Sequence, residues 1–343
     1  MASNNRGGRA AVAFVLAAAF HPAATAEAPL FQLEGLHYGS KDLPAHVRQG
    51  LFDAELQHYR AQRRLAEDGA VALYLEREAE RQGQSMDALR AELLPVAEPS
   101  AEEVEAFYNG NRYRIPYPLE QVREQIAGLL REQATVAHQT ALLDELKGRG
   151  ALRMLIAQPQ PPQVQIDTAG RPSKGSAEAP VTLVEFADFQ CSHCKDASPV
   201  VDAMLARYGD RLRVVYMDFP INPSGIAQRV SEGGVCAAQQ QRFWDYHDLA
   251  FRKQTGLNAG SPLALAEELG LDGEQFKACL DDPATAETVA RSKVEGERIG
   301  VDATPTFYVN GRRAVLEDLV GGLRAAIEAA LASEAGGGGN RGG

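Results

Sequence analysis

The 343-residue chain predicts an α/β domain carrying a helical insertion, preceded by a mostly α-helical region. Three observations lead there. Residues 27–157 place apolar side chains at helical spacing among many Arg, Glu and Gln. From Val181 the pattern changes to β-branched and apolar runs separated by helical stretches. All four cysteines fall within 191–279, two of them three positions apart.

The composition is that of a globular protein, 45% hydrophobic and 24% charged, with room for about two domains. A formal charge of −11 argues against nucleic acid as a partner and against a basic membrane-surface helix. The chain starts with Arg6 and Arg9, then an apolar run Ala11–Phe20, then Ala24-Thr25-Ala26. That order predicts a secretory signal over residues 1–26, cleaved after Ala26, and hence a periplasmic protein. The run is too short to span a bilayer of about 30 Å.

Residues 27–157 divide into several helices. Leu43, Val47, Leu51, Leu73 and Ala79 mark the first, which Gly83 ends. Ser85 caps a short helix with Met86, Leu89 and Leu93, and Pro95 to Pro99 break the chain. Ser100 and Glu103 form a capping box opening the next helix. Val122, Ile126, Leu129, Val136, Leu143 and Leu146 give the clearest apolar stripe. The region reads as a spacer, or as a module that holds clients or oligomerises. Its phrases EEVEAFYNGNRYRI and LEQVREQIAGLL resemble the helical N-terminal region of SurA-type periplasmic chaperones.

A Pro/Gln-rich stretch over 158–172 reads as an extended linker. In 173–334, Val181–Phe186, Arg213–Met217 and Thr306–Val309 read as strands, and Ala197–Tyr208 as a helix joining a parallel pair. A helical insertion covers 222–298. Asn310-Gly311 signals a hairpin leading into a strand through Arg312–Leu316, and Leu319–Leu331 a closing helix. The Gly-rich residues 335–343 read as a disordered tail.

Cys191-Ser192-His193-Cys194 follows a strand and opens a helix. Unpaired N–H groups and the positive end of the helix dipole favour a thiolate there, so Cys191 is the expected attacking sulfur. His193 can add a charge or hydrogen bond, and Cys194, one turn in, would resolve. Against this stand a zinc site completed by Cys236 and Cys279, a structural Cys191–Cys194 disulfide, and two inert thiols.

VEFADFQCSHCK, CAAQQQRFWDYHDLAF and ATPTFYVNG, in that order, resemble DsbA-family thiol-disulfide oxidoreductases with a thioredoxin fold. The resemblance implies that Pro305 is a cis-proline facing the cysteines, with Thr304 before it; an ordinary trans-proline is the plain alternative. It implies that Glu185 is a proton-handling acid near the buried cysteine, against an exposed edge-strand acid. It also implies that Cys236 and Cys279 are joined inside the insertion, against free buried thiols. Asp188 reads as a loop acid without chemistry. Phe243, Trp244 and Tyr246 read as insertion core, and His247 as a satisfied helix histidine. Ser192 and Thr304 depart from the residues that many oxidising members carry, which leaves the redox direction open between oxidase, isomerase and reductase. No cofactor or metal is implied. The expected partners are cysteine-containing or unfolded clients and a membrane redox protein of DsbB or DsbD type. A holdase chaperone is the rival from another class.

Overall fold

The computed structural model describes residues 28–337. The expected signal segment and its cleavage site, and the tail beyond Gly337, lie outside the described residues. The chain separates into two units, residues 1–44 and 45–343.

In the first unit, β1 (Phe31–Leu33) and β2 (Leu36–Tyr38) form an antiparallel hairpin. Glu34 and Gly35, at φ 51° and 84°, make the tight turn whose twist suits two strands. Phe31 stacks on Tyr38 with ring centroids 5.3 Å apart. The helical reading of residues 27–157 missed this hairpin, because three-residue strands leave too little sequence for an alternation to show.

The second unit opens with α1 (Ala45–Gln82), about 57 Å of helix. It continues with α2 (Met86–Leu93), α3 (Ala101–Asn111) and α4 (Leu119–Gly148). The caps follow the sequence chemistry. Ser85 Oγ accepts from the Ala88 N–H, and Ser100 and Glu103 exchange hydrogen bonds across the first turn of α3. Two small cores result. Val71, Leu75 and Ala79 of α1 pack against Leu89 of α2 and Leu142, Leu143 and Leu146 of α4. Val104 and Tyr108 of α3 cover Val122, Ile126 and Ala127 of α4. Between these cores the middle of α4 is not covered, leaving Leu129 and Val136 exposed.

The remaining elements are β3 (Ser173–Gly175), β4 (Val181–Ala187), α5 (Ser192–Tyr208), β5 (Leu212–Asp218), then the insertion helices α6 (Ile226–Gln239), α7 (Phe243–Arg252), α8 (Ser261–Glu268), α9 (Gly273–Asp281) and α10 (Pro283–Ile299). They end with β6 (Thr306–Val309), β7 (Arg312–Arg313) and α11 (Leu319–Gly337). The five-stranded sheet runs in the order β3-β5-β4-β6-β7, with β4 parallel to β5 and antiparallel to β6. Strand β7 is shorter than the expected run through Leu316, and α11 reaches into the expected tail.

Alternation along the strands builds a core on each face. Leu183 and Val214 meet α5 and α11, while Val184, Phe186 and Val215 meet α10 and the start of α1. The Pro/Gln stretch is held rather than free. The Val164 N–H donates to the Gly311 carbonyl at 2.8 Å, and Arg171 Nη1 to the Thr288 carbonyl at 2.9 Å. Gly311 sits at φ 77°, and any side chain there would collide with the Val164 carbonyl.

Candidate active site

Strand β4 ends at Ala187, and a short turn carries the chain into α5, whose N-cap is Cys191. Asp188 shapes this turn. Fully buried, it accepts from the Gln190 N–H at 2.6 Å and from the Ile221 and Asn222 N–H groups at 2.8 and 3.2 Å. Gln190 Oε1 accepts from Ser224 Oγ at 2.7 Å and from the Ala227 N–H at 3.2 Å. From the opposite side, Gln254 Nε2 donates to the Phe189 and Cys191 carbonyls at 2.9 and 2.8 Å. Phe189 is fully buried against Tyr216, Tyr246 and Phe251.

The two cysteines stand as thiols of unlike surroundings: Cys191 is partly exposed and Cys194 is buried. The hydrogen bond from Cys194, helped by Thr304 and by the Cys194 and His193 backbone N–H groups, holds Cys191 far below an ordinary thiol, at about 5, although burial opposes it. Cys194 is pushed strongly upward, because its proton is engaged by Cys191 and because it is buried. The His193 contribution is made by its backbone; its side chain is exposed.

The Thr304-Pro305 peptide is cis, and Cys191 Sγ lies 3.2 Å from the Thr304 carbonyl oxygen. Glu185 is 3% exposed in β4, the central strand, on the sheet face it shares with Leu183 and Ala187. Burial pushes its carboxyl up to about 8, the Lys174 ammonium pulling the other way. Lys174 pairs with Asp202 and stands over the Trp244 ring, 4.2 Å from its centroid.

Cys236 of α6 and Cys279 of α9 are bonded, with Cα atoms 5.7 Å apart. Phe243 and Tyr246 are buried in the insertion core, and Trp244 packs at its margin. His247 is buried among aromatic rings, its Nδ1 2.8 Å from Asp248 Oδ1, and burial lowers its pKa. The described residues contain no group of His, Cys, Asp and Glu that could hold a metal ion.

Thus Cys191, Cys194 and Thr304 meet at one point, Glu185 lies beneath the sheet's active-site end, and Cys236 and Cys279 are a separate pair within the insertion. The sequence reading passed over Gln254 and Gln190, and saw in Asp188 only a loop acid. A polar residue in a turn carries no local sign of which distant backbone group it will meet.

The thioredoxin family model matches residues 167–329. A sodium/proton antiporter NhaA of Herminiimonas arsenicoxydans is 43% identical over 141 residues, which are 41% of this chain and 22% of that protein. The antiporter NhaA 3 of Salinispora tropica is 38% identical over 161 residues, covering 47% and 24%. The chain spans about a quarter of the length of these curated relatives. Among the described residues no helix is long and apolar enough to cross a membrane. A thioredoxin-like oxidoreductase from Silicibacter pomeroyi aligns with TM-score 0.44 and 25% identity over 49% of this chain and 99% of that one. BdbD from Bacillus subtilis, in its oxidised form, aligns with TM-score 0.45 and 24% identity over 50% and 99%. With a mixed sheet sandwiched by helices and the family match over 167–329, the C-terminal half of the chain is a thioredoxin-like domain.

Proposed function

We propose that the chain is a DsbA-like thiol-disulfide oxidoreductase that makes or exchanges disulfides in client proteins through Cys191 and Cys194. The observation that carries this reading is the pairing of an accessible, acidic Cys191 thiol at the N-terminus of α5 with a buried, weakly acidic Cys194. In the oxidised enzyme a client thiolate attacks Cys191 Sγ. The Cys191–Cys194 bond breaks, and its electron pair leaves on Cys194, which takes a proton. Glu185, a carboxyl that burial raises to about 8 and so keeps protonated at neutral pH, is suited to deliver that proton. A second client thiolate then attacks the client sulfur of the mixed disulfide, and Cys191 departs as a thiolate. A leaving thiol of low pKa departs fast and its stability draws the reaction toward client oxidation. Thr304, whose carbonyl faces Cys191, is where the client backbone would lie. Cys236–Cys279 is a structural clamp on the insertion, outside the electron path.

The test is a pair of variants. Cys191→Ser should abolish exchange, and Cys194→Ser should accumulate mixed disulfides with clients through Cys191. Trapping by Cys191→Ser instead reverses the assignment. Export, with signal cleavage after Ala26 and a membrane redox partner of DsbB or DsbD type, belongs to the same proposal. N-terminal sequencing of the mature protein tests it.

A second reading rests on the exposed Leu129 and Val136 of α4. An arm that offers them to unfolded chains would make the protein an isomerase or a holdase with redox activity. Recovery of scrambled RNase and suppression of client aggregation, each lowered by Leu129→Glu/Val136→Glu, would favour it.

A further inference from the structure

We propose that Gln254 is a positioning residue for Cys191, its amide holding the N-cap carbonyl so that the N–H groups of α5 stay aimed at the sulfur. This rests on the thiol-disulfide reading above and adds to it the part played by the insertion.

Gln254 opens the short 3-10 turn Gln254–Gly256, directly after α7. Its Nε2 makes two bonds, 2.9 Å to the Phe189 carbonyl and 2.8 Å to the Cys191 carbonyl. Both partners are pure acceptors, so the amide can sit only with its NH2 group toward them, and both its protons are used. The Cys191 carbonyl also accepts from the Cys194 and Lys195 N–H groups, but each at 3.2 Å. The contact from Gln254 is thus the shortest made to that oxygen.

Fixing this carbonyl fixes the plane of the Cys191–Ser192 peptide, and with it the entry of the backbone into α5. The loop returns the grip through Asp188 and Gln190, which bind backbone N–H groups of residues 221, 222 and 227. Lys253 pairs with Glu268, Asp188 is bound by backbone N–H groups, the His193 ring is exposed, and Glu185 approaches from β4. Gln254 therefore ties the insertion to the reactive cysteine by a direct hydrogen bond to its carbonyl.

The test uses the full chain in its reduced form, with Gln254→Met and Gln254→Glu. Methionine keeps the length and loses both donors; glutamate keeps the shape and faces two carbonyls with acceptors. The thiolate midpoint of Cys191 is read from ultraviolet thiolate absorbance and from iodoacetamide alkylation against pH. It should rise by about half to one pH unit in Gln254→Met, the worth of about one hydrogen bond, and further in Gln254→Glu. The equilibrium with glutathione should move several-fold toward the oxidised enzyme in the same order. Two folded variants with the wild-type midpoint would overturn the proposal. A role in packing alone would lower melting without moving the midpoint. Should a variant not fold, the Gln254 side-chain amide resonances of the wild type should titrate with the Cys191 midpoint, and a flat response overturns it. A wild type that shows no acidic thiol and no exchange removes the thiol-disulfide reading itself, whatever the variants do.

Discussion

At Cys191 burial and hydrogen bonding pull in opposite directions, and hydrogen bonding wins. The Cys194 thiol lowers Cys191 most, desolvation opposes it, and Thr304 with the N–H groups of Cys194 and His193 brings it to about 5. Alkylation of the reduced protein should therefore stay fast down to about pH 5. A profile centred near the ~8.5 of a free thiol would mean that the helix terminus does little. At Glu185 the balance is reversed. Its carboxyl is raised by burial to about 8, so the folded state holds a proton that the unfolded state has released. The stability it contributes is present at acid pH and is lost as pH rises between the unfolded value of about 4.3 and the folded value. Wild type should lose stability over that window at up to about 1.4 kcal/mol per pH unit, more steeply than Glu185→Gln. Denaturant melts of both reduced proteins across that range would measure it, and parallel curves would show that Glu185 is solvated.

At the scale of elements the insertion is held by the link between α6 and α9. The bond between Cys236 and Cys279 closes a loop of 43 residues. In the chain-entropy model such closure is worth about 4 kcal/mol. The double variant Cys236→Ser/Cys279→Ser should melt earlier by that order and keep exchange through Cys191. Mild reduction followed by alkylation and mass spectrometry should label Cys191 and Cys194 first. A folded double variant without exchange would make the pair a relay. Helix α5 holds Pro199 in its interior, where a proline removes one backbone N–H. The helix tolerates it because Ala197, Val201 and Met204 remain buried against the sheet.

Across the whole molecule the apolar clusters of the helical region are distinct from those around the sheet. Leu75 is fully buried in one of the former. Leu75→Ala should destabilise that region by about 3 kcal/mol through the cavity it leaves. Calorimetry should show the loss while exchange at Cys191 persists; loss of both together would mean a single cooperative unit. The start of α1 packs on the C-terminal half, Ala45 against the sheet's core and the buried Gln49 beside Gly300, and ion pairs add to it further along: Asp53 with Arg313 at 3.3 Å, and Arg63 with Glu317 at 3.1 Å. Such pairs are worth about 1 kcal/mol or less, so Arg63→Ala should change stability little. The apolar stripe of α4 finds cover within the chain at both ends, on α3 and on α1 with α2. Light scattering on residues 27–343 should accordingly report a monomer, and a stable dimer would point to the exposed Leu129 and Val136 as its seam.

The sequence alone determined what depends on near neighbours. The Ser100–Glu103 box, the helical stripes, the change of period at Val181, the Asn310-Gly311 turn and the placing of Cys191 at a helix start all rest on contacts within a few residues. Their physics is local: dihedral preference, capping and the side on which an apolar residue falls. Only the tertiary structure decided that β4 is the central strand, and so that Glu185 is buried and weakly acidic. It alone decided that the Thr304 carbonyl reaches Cys191 across 113 residues, and that the Pro/Gln stretch is pinned to the domain. Gln254 was invisible for the same reason. Its partners lie 65 and 63 residues away, and nothing in a lone glutamine on a turn records a hydrogen bond that exists only when the insertion closes over the site.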